Sequence, residues 1–293
     1  MIRTVEEMIK RAEEEQVSIA RLMIEQEKEM TGKTEEEIKA QMHHNLTVMK
    51  EAAEKGALGV NSSTGLTGGD ALKMKEYRQK KKTLSGDAVL RGVQDALATN
   101  EVNAAMGIVC ATPTAGSTGT LPGVLFTITE RLNLTTEDQL DFLFTAALFG
   151  MVVANNAMIS GAMGGCQAEI GSASAMGAAA AVAVAGGTPR QSAHAFGMAM
   201  GNLLGLVCDP VAGLVEIPCV KRNSIGATNA LICADMALAG IENEIPADEV
   251  IEAMRQVGRN LPATLRETGL GGLAATPTGV KMKIEIFGED LSE

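Results

Sequence analysis

Tryptophan is absent from this sequence, tyrosine occurs once and phenylalanine six times, so aromatics reach only 2%. A core without large rings must be filled by Ala, Leu, Ile, Val and 17 methionines, with 32 glycines allowing close backbone approach. Small side chains and methionine suit tightly packed helices, whereas strands favour aromatic and β-branched residues. No stretch alternates Val, Ile or Thr with polar residues, and no segment recurs at the spacing of a repeat array. These absences exclude a β-rich fold and predict a mainly α class, a compact helical domain.

Basic charge is also in short supply. Lys and Arg number 25 against 36 Asp and Glu, a net charge of -11. Nucleic-acid binding needs a basic surface to displace counterions, so that class is excluded. The one basic cluster, Lys80-Lys81-Lys82, reads as a solvated helix end. From Phe142 to Cys208 the only formal charges are Glu169 and Arg190. Within that passage, Phe142 to Gln167 is long enough to cross a bilayer. It contains Asn155, Asn156, Ser160 and Gln167, however, and the run from Ile170 to Pro189 is mostly Ala and Gly. No Trp/Tyr belt or flanking basic anchor is present. The expectation is therefore helices buried on all sides and no membrane. The competing picture is a membrane transport or scaffold subunit whose small residues pack in lipid. Five cysteines, an odd number, and no secretory leader argue against a disulfide scaffold and for the reducing cytoplasm. With 46% apolar and 21% charged residues, the balance is globular, and one domain over residues 1–293 is expected.

Helix starts are legible in chain order. Thr4-Val5-Glu6-Glu7, Thr34-Glu35-Glu36-Glu37, Thr136-Glu137-Asp138-Gln139 and Thr188-Pro189-Arg190-Gln191 have the spacing of capping boxes. Stops are expected near Thr31-Gly32 and at Gly56. Residues from about Asp70 to Thr99 read as helices, and further helices are expected over Asn229–Ala239, Asp248–Val257 and Pro262–Thr268. Gly269–Gly279 reads as a loop and Lys281–Glu293 as a short acidic tail. His43 and His44 are adjacent on one helix, point about 100° apart and read as surface residues.

Two loops are dense in glycine and hydroxyls. One is Asn61-Ser62-Ser63-Thr64-Gly65-Leu66-Thr67-Gly68-Gly69-Asp70; the other runs from Ala111 to Gly123. Glycines let backbone N–H groups converge on an anion, and Ser/Thr add donors, so the pair can form a ligand cradle. Neither fits the Walker or dinucleotide pattern, and the first reads equally well as a plain loop. Between Gly161 and Asn223 lie Cys166, Cys208 and Cys219, each beside Gly or Pro and so at a turn or element end. Two readings stand: ligands gathered around an inorganic centre, or small buried hydrophobes.

The motifs Pro113-Thr114-Ala115-Gly116-Ser117, Gly164-Gly165-Cys166-Gln167-Ala168-Glu169-Ile170-Gly171, Cys208-Asp209-Pro210-Val211-Ala212-Gly213 and Ile217-Pro218-Cys219 closely resemble the iron–sulfur L-serine dehydratases. The resemblance covers nearly the whole chain and points to the catalytic α subunit of the two-subunit form. It implies a mostly helical domain with Gly/Ser/Thr loops around a [4Fe–4S] cluster on Cys166, Cys208 and Cys219. It also implies a separate β chain as partner and L-serine as substrate, converted to pyruvate and ammonia. Three thiolates leave one iron open to act as a Lewis acid. Pyridoxal phosphate would need a Schiff-base lysine, and no Lys occurs between Lys82 and Lys221. Cysteine desulfidation by the same cluster is the nearest alternative.

The resemblance leaves other roles open. Ser62, Ser63, Thr64 and Thr67 with Gly65, Gly68 and Gly69 are candidates to grip the substrate carboxylate, as are Thr114, Gly116 and Ser117. Arg222 is a candidate charge partner. The base is unidentified: His194 is a candidate, although a core or surface histidine is the reading favoured for it, and the β chain is the other source. Asn155, Asn156 and Glu169 are candidates to orient ligands. Cys110 and Cys233 match no ligand position and read as core thiols. Some single-chain relatives end in a cysteine that reaches the cluster, whereas this sequence ends Asp290-Leu291-Ser292-Glu293.

Overall fold

The passage poorest in charge becomes the centre of the molecule. A computed structural model describes residues 1–80 and 82–288. Lys81 and the terminal Asp290-Leu291-Ser292-Glu293 therefore lie outside the described residues. The helices are α1 (Val5–Glu15), α2 (Ile19–Thr31), α3 (Glu35–Gly56), α4 (Asp70–Gln79), α5 (Asp87–Ala104), α6 (Thr120–Leu132) and α7 (Thr136–Asn156). They continue as α8 (Gly161–Gly164), α9 (Ser172–Val184), α10 (Pro189–Gly201), α11 (Cys219–Leu238), α12 (Ala247–Asn260) and α13 (Pro277–Phe287). Among the described residues there is no strand, only isolated bridges joining Asn61 to Gly68 and Cys208 to Arg266. The mainly α class is as expected.

Helix α9, almost wholly Ala, Gly, Ser and Val, is enclosed by α6, α7, α10 and α11. Its residues from Ser172 to Val182 are all buried. A helix surrounded on every side needs no polar face, and its small side chains let neighbours approach closely. The same logic governs α5 against α6. A Cβ on Gly119, just before α6, would lie 2.2 Å from the Ala96 carbonyl oxygen of α5. Among the described residues no helix is long and apolar enough to cross a membrane, so the transport or scaffold picture has no helix to rest on.

The capping signals are realised with local shifts. Thr34 with Glu37 and Thr188 with Gln191 form complete boxes. Thr4 accepts from the Glu7 N–H, but the Glu7 carboxylate accepts from Arg3 rather than Thr4. The cap of α7 is Thr135 with Asp138, one residue earlier than expected. At both spacings a Thr stands three residues before a side chain that can reach back, so the sequence alone leaves the register open. Helix α11 begins at Cys219, well before Asn229. The expected helix over Pro262–Thr268 reduces to a single 3-10 turn at Ala263–Leu265, because its backbone pairs with Cys208 instead. The expected loop after Gly269 and the tail contain α13, which starts at Pro277 behind the N-cap Thr276. His43 and His44 are exposed on α3. The chain closes on itself where Asp248 of α12 accepts the Val5 and Glu6 N–H groups of α1 (2.8 and 3.0 Å).

Candidate metal centre

Cys166 and Cys219 sit at the starts of helical elements, whereas Cys208 lies in an irregular segment between elements. Cys166 precedes a π-helical turn, Gln167–Gly171, that runs directly into α9. Such turns concentrate at functional sites because they rotate side chains out of the regular register. Cys208 lies in an extended segment zipped to residues 265–267. Its N–H donates to the Leu265 carbonyl (2.9 Å), and its carbonyl accepts from the Glu267 N–H (2.7 Å). Cys219 is the first residue of α11. All three are buried, at 2%, 2% and 5% exposure. The Cys166 and Cys208 sulfurs and a Glu169 carboxylate oxygen lie within 4.8 Å of one another. Cys219 stands outside that trio, near enough for its charge to act on Cys208 and for that of Cys166 to act on it.

Side-chain staples hold these segments in place, and several were not singled out from the sequence. Asn223, fully buried, donates to the Cys219 carbonyl (3.0 Å) and the Gly116 carbonyl (2.8 Å). Its Oδ1 accepts from the Gly119 N–H (3.0 Å) and the Thr120 hydroxyl (3.1 Å). Gln167 donates to the Met254 carbonyl of α12 (3.0 Å) and accepts from the Gly205 N–H (2.8 Å). Asp209 accepts from the Leu273 N–H (2.7 Å). Gln and Asn among apolar helix residues were the only sequence signal, since a buried amide must find partners for all its polar atoms.

Both glycine-rich loops close on carboxylates, and those carboxylates are the chain's own. Thr64 donates to Glu216 (2.8 Å to Oε1) and Thr67 to its Oε2 (3.0 Å). Glu216 is buried three residues before Cys219. Gly65, Gly68 and Gly69 have φ of 74°, 147° and 72°, conformations that L side chains rarely adopt. Ser62 is buried, its hydroxyl within 3.0 Å of the Thr64 hydroxyl, and Ser63 is exposed. In the second loop Thr114 donates to Glu169 Oε1 (2.6 Å), and Gly116 leaves room for that carboxylate. Ser117 is fully buried and donates to the Thr112 carbonyl (2.8 Å). The loops thus bind carboxylates as their chemistry suggests, but Thr64, Thr67 and Thr114 are already engaged.

Charge is balanced unevenly. Arg222 pairs with Asp209 (2.7 Å) and donates to the Val207 carbonyl (2.7 Å). The hydrogen bond from Cys208, then the Arg222 charge, lowers the Cys166 pKa against the effect of burial. The Cys208 thiol, donating to Cys166 and buried, is pushed up, as is Cys219, chiefly by burial. Burial raises the Glu169 pKa, opposed by the Thr114 hydroxyl and the Gly161 N–H.

Other candidates lie elsewhere. His194 accepts from the Asn243 N–H (3.0 Å) in a cleft of about 140 Å³ lined by Glu6, Arg190 and Asp248, and no cysteine lines that cleft. Asn156 binds the Arg3 and Val152 carbonyls, and Asn155 is exposed, so neither orients a ligand at the thiols. Cys233 is fully buried, with burial pushing its thiol up to about 11, and Cys110 is half-buried. Both are packed thiols away from the trio.

The donor set fits a sulfur-held metal group. Soft thiolates suit zinc, copper(I) or iron–sulfur centres. The site is also too tight for an added side chain: a Cβ on Gly161 would lie 2.7 Å from Cys208 Sγ and 2.8 Å from Glu169 Oε2. A sequence profile described as "Serine dehydratase alpha chain" matches residues 14–274. The chain belongs to the serine dehydratase alpha chain family. Within that family it is 62% identical to the Bacillus subtilis protein named "Probable L-serine dehydratase, alpha chain", over 98% of this chain and 96% of that one. It is 42% identical to the Peptoniphilus asaccharolyticus L-serine dehydratase alpha chain, over 99% of both. It is also 37% identical to L-serine dehydratase 2 of Escherichia coli, where the match covers 90% of this chain but 59% of the longer protein.

Proposed function

We propose that this is the catalytic α chain of a two-chain L-serine dehydratase, acting as one domain over residues 1–293 in a reducing cytoplasm. It would hold a [4Fe–4S] cluster on Cys166, Cys208 and Cys219, use no pyridoxal phosphate and convert L-serine to pyruvate and ammonia. The observation that carries this reading is a group of two buried thiols, Cys166 and Cys208, with the buried Glu169 carboxylate, in a family named for serine dehydration; Cys219 is buried as well. The same three thiols are the ones the motif resemblance implies. Full-length similarity to chains named alpha supports a separate β chain, and the partial coverage of longer relatives supports the idea of a fused equivalent.

When bound, the cluster supplies an open iron as a Lewis acid that makes a β-hydroxyl a better leaving group. The chain's residues prepare the place. Cys166, Cys208 and Cys219 hold it, and Arg222 offsets thiolate charge on the Cys166 side. Asn223 ties Cys219 to the second glycine loop, and Gln167 ties the Cys166 turn to α12. L-Serine loses its α proton and its β-hydroxyl, leaving aminoacrylate, which tautomerises and hydrolyses. Because His194 sits in a separate cleft, we assign the base to the β chain. Ser63, exposed on the first loop, remains the hydroxyl best disposed to meet substrate.

The test is anaerobic. The chain is expressed with and without a candidate β chain, reconstituted with iron and sulfide, and assayed for pyruvate from L-serine. Pyruvate that requires the cluster, requires the second chain and disappears in Cys166→Ala is the expected result. A loaded complex that releases sulfide from L-cysteine but no pyruvate from L-serine would replace the substrate. A complex that turns over L-serine without iron would remove the cluster.

A further inference from the structure

Glu169 is buried to 7% exposure, yet among the described residues no Lys, Arg or His forms an ion pair with it. A buried carboxylate without a cation is costly and is ordinarily paired or metal-bound. The nearby cation is committed elsewhere: Arg222 pairs with Asp209 and donates to the Val207 carbonyl. What Glu169 does have is orientation. Thr114 donates to Oε1 at 2.6 Å, and Gly116 leaves space against the carboxylate. One of its carboxylate oxygens lies within 4.8 Å of the Cys166 and Cys208 sulfurs. The point where a Gly161 Cβ would stand is 2.8 Å from Oε2 and 2.7 Å from Cys208 Sγ. A carboxylate held at one oxygen by a hydroxyl and lying beside ligand sulfurs is the arrangement of a metal ligand with its supporting hydrogen bond.

We propose that Glu169 is a fourth protein ligand to the cluster, bound through Oε2 to the iron that no cysteine holds while substrate is absent. An oxygen of the substrate then displaces it. This rests on the cluster reading above. The exchange breaks one iron–oxygen bond and forms another, with no change of oxidation state, and the released carboxylate stays on Thr114. It also accounts for the second glycine loop: its Thr114 and Gly116 seat a carboxylate that stands at the substrate's place.

The experiment uses the two-chain complex, reconstituted anaerobically with ⁵⁷Fe, in wild type, Glu169→Gln and Thr114→Val. Mössbauer spectra of the substrate-free state and the rate of iron loss to a chelator are read alongside iron per chain. Wild type is expected to show one distinct iron whose parameters change on adding L-serine. Glu169→Gln is expected to show an altered distinct iron already without serine and to lose it ~10- to 100-fold faster. Thr114→Val, which keeps the carboxylate and removes its support, is expected to fall between. A fully loaded Glu169→Gln with wild-type spectra and wild-type iron loss overturns the ligand assignment and leaves the cluster reading standing. Failure of wild type itself to bind iron and sulfide overturns both.

Discussion

At the scale of single residues, the site depends on amides as much as on thiols. Asn223 satisfies four partners from a fully buried position: two carbonyls, one N–H and one hydroxyl. Truncation to Asn223→Ala leaves the Gly119 N–H and the Thr120 hydroxyl without that acceptor in a place closed to water. The expected loss is about 1–3 kcal/mol per orphaned group, read as a lower urea midpoint of the apo chain. Because the same side chain fixes Cys219, iron uptake should fall as well. An unchanged midpoint would mean that water or a neighbour takes over both groups. The motif resemblance points to the three thiols, and adjacent Gly and Pro place Cys166 and Cys219 at element starts, whereas Cys208 lies in an irregular segment. The partners of Thr64, Thr67 and Thr114 were not legible, because Glu216 and Glu169 lie far from them along the chain.

At the scale of elements, helix contacts are set by where a side chain is missing. Gly119 approaches α5 so closely that an added Cβ would meet backbone, the Ala96 carbonyl, at 2.2 Å. Backbone cannot rotate away as a flexible side chain can. Gly119→Ala is therefore expected to push α5 and α6 apart and destabilise the fold by about 1–3 kcal/mol. Thermal unfolding of the apo chain checks this, and a variant as stable as wild type would show that the contact can relax. Most helices were visible as periodic runs with caps. The exceptions are informative. Pro262–Thr268 has a helix-like composition but gives its backbone to Cys208, and α13 hid in a stretch rich in Gly, Thr and Pro although its Thr276-Pro277 start is a standard N-terminus. In both cases the local pattern does not specify which backbone lies opposite.

At the scale of the whole molecule, an acidic chain also buries acids. Burial raises the pKa of Asp95, opposed by its pairing with Arg91. Burial likewise raises that of Glu101, opposed by N–H donors from Asp70 and Ala71. A carboxyl raised on folding keeps its proton longer in the folded state. Its contribution is complete below the unfolded pKa and is lost as pH rises through the folded one. The apo chain should thus lose stability from about pH 4 toward neutrality through these groups, beyond what net charge does. Urea midpoints measured across that range should decline less steeply in Glu101→Gln, which keeps an acceptor but cannot ionise. Parallel slopes for variant and wild type would remove Glu101 from the account.

The helical class, the central Ala/Gly helix, the absence of a basic surface and the three thiols could be read from the sequence alone. Each is a property of composition, short-range periodicity or a contiguous motif, and the forces behind them act within a few turns of chain. Only the tertiary structure decided that the two hydroxyl loops end on Glu216 and Glu169, that Arg222 serves Asp209 and Cys166, and that His194 faces a separate cleft. Those pairings join residues tens to more than a hundred positions apart. Which of several equally suitable polar partners meets a given hydroxyl is set by helix packing, where burial leaves no polar group free to choose water instead.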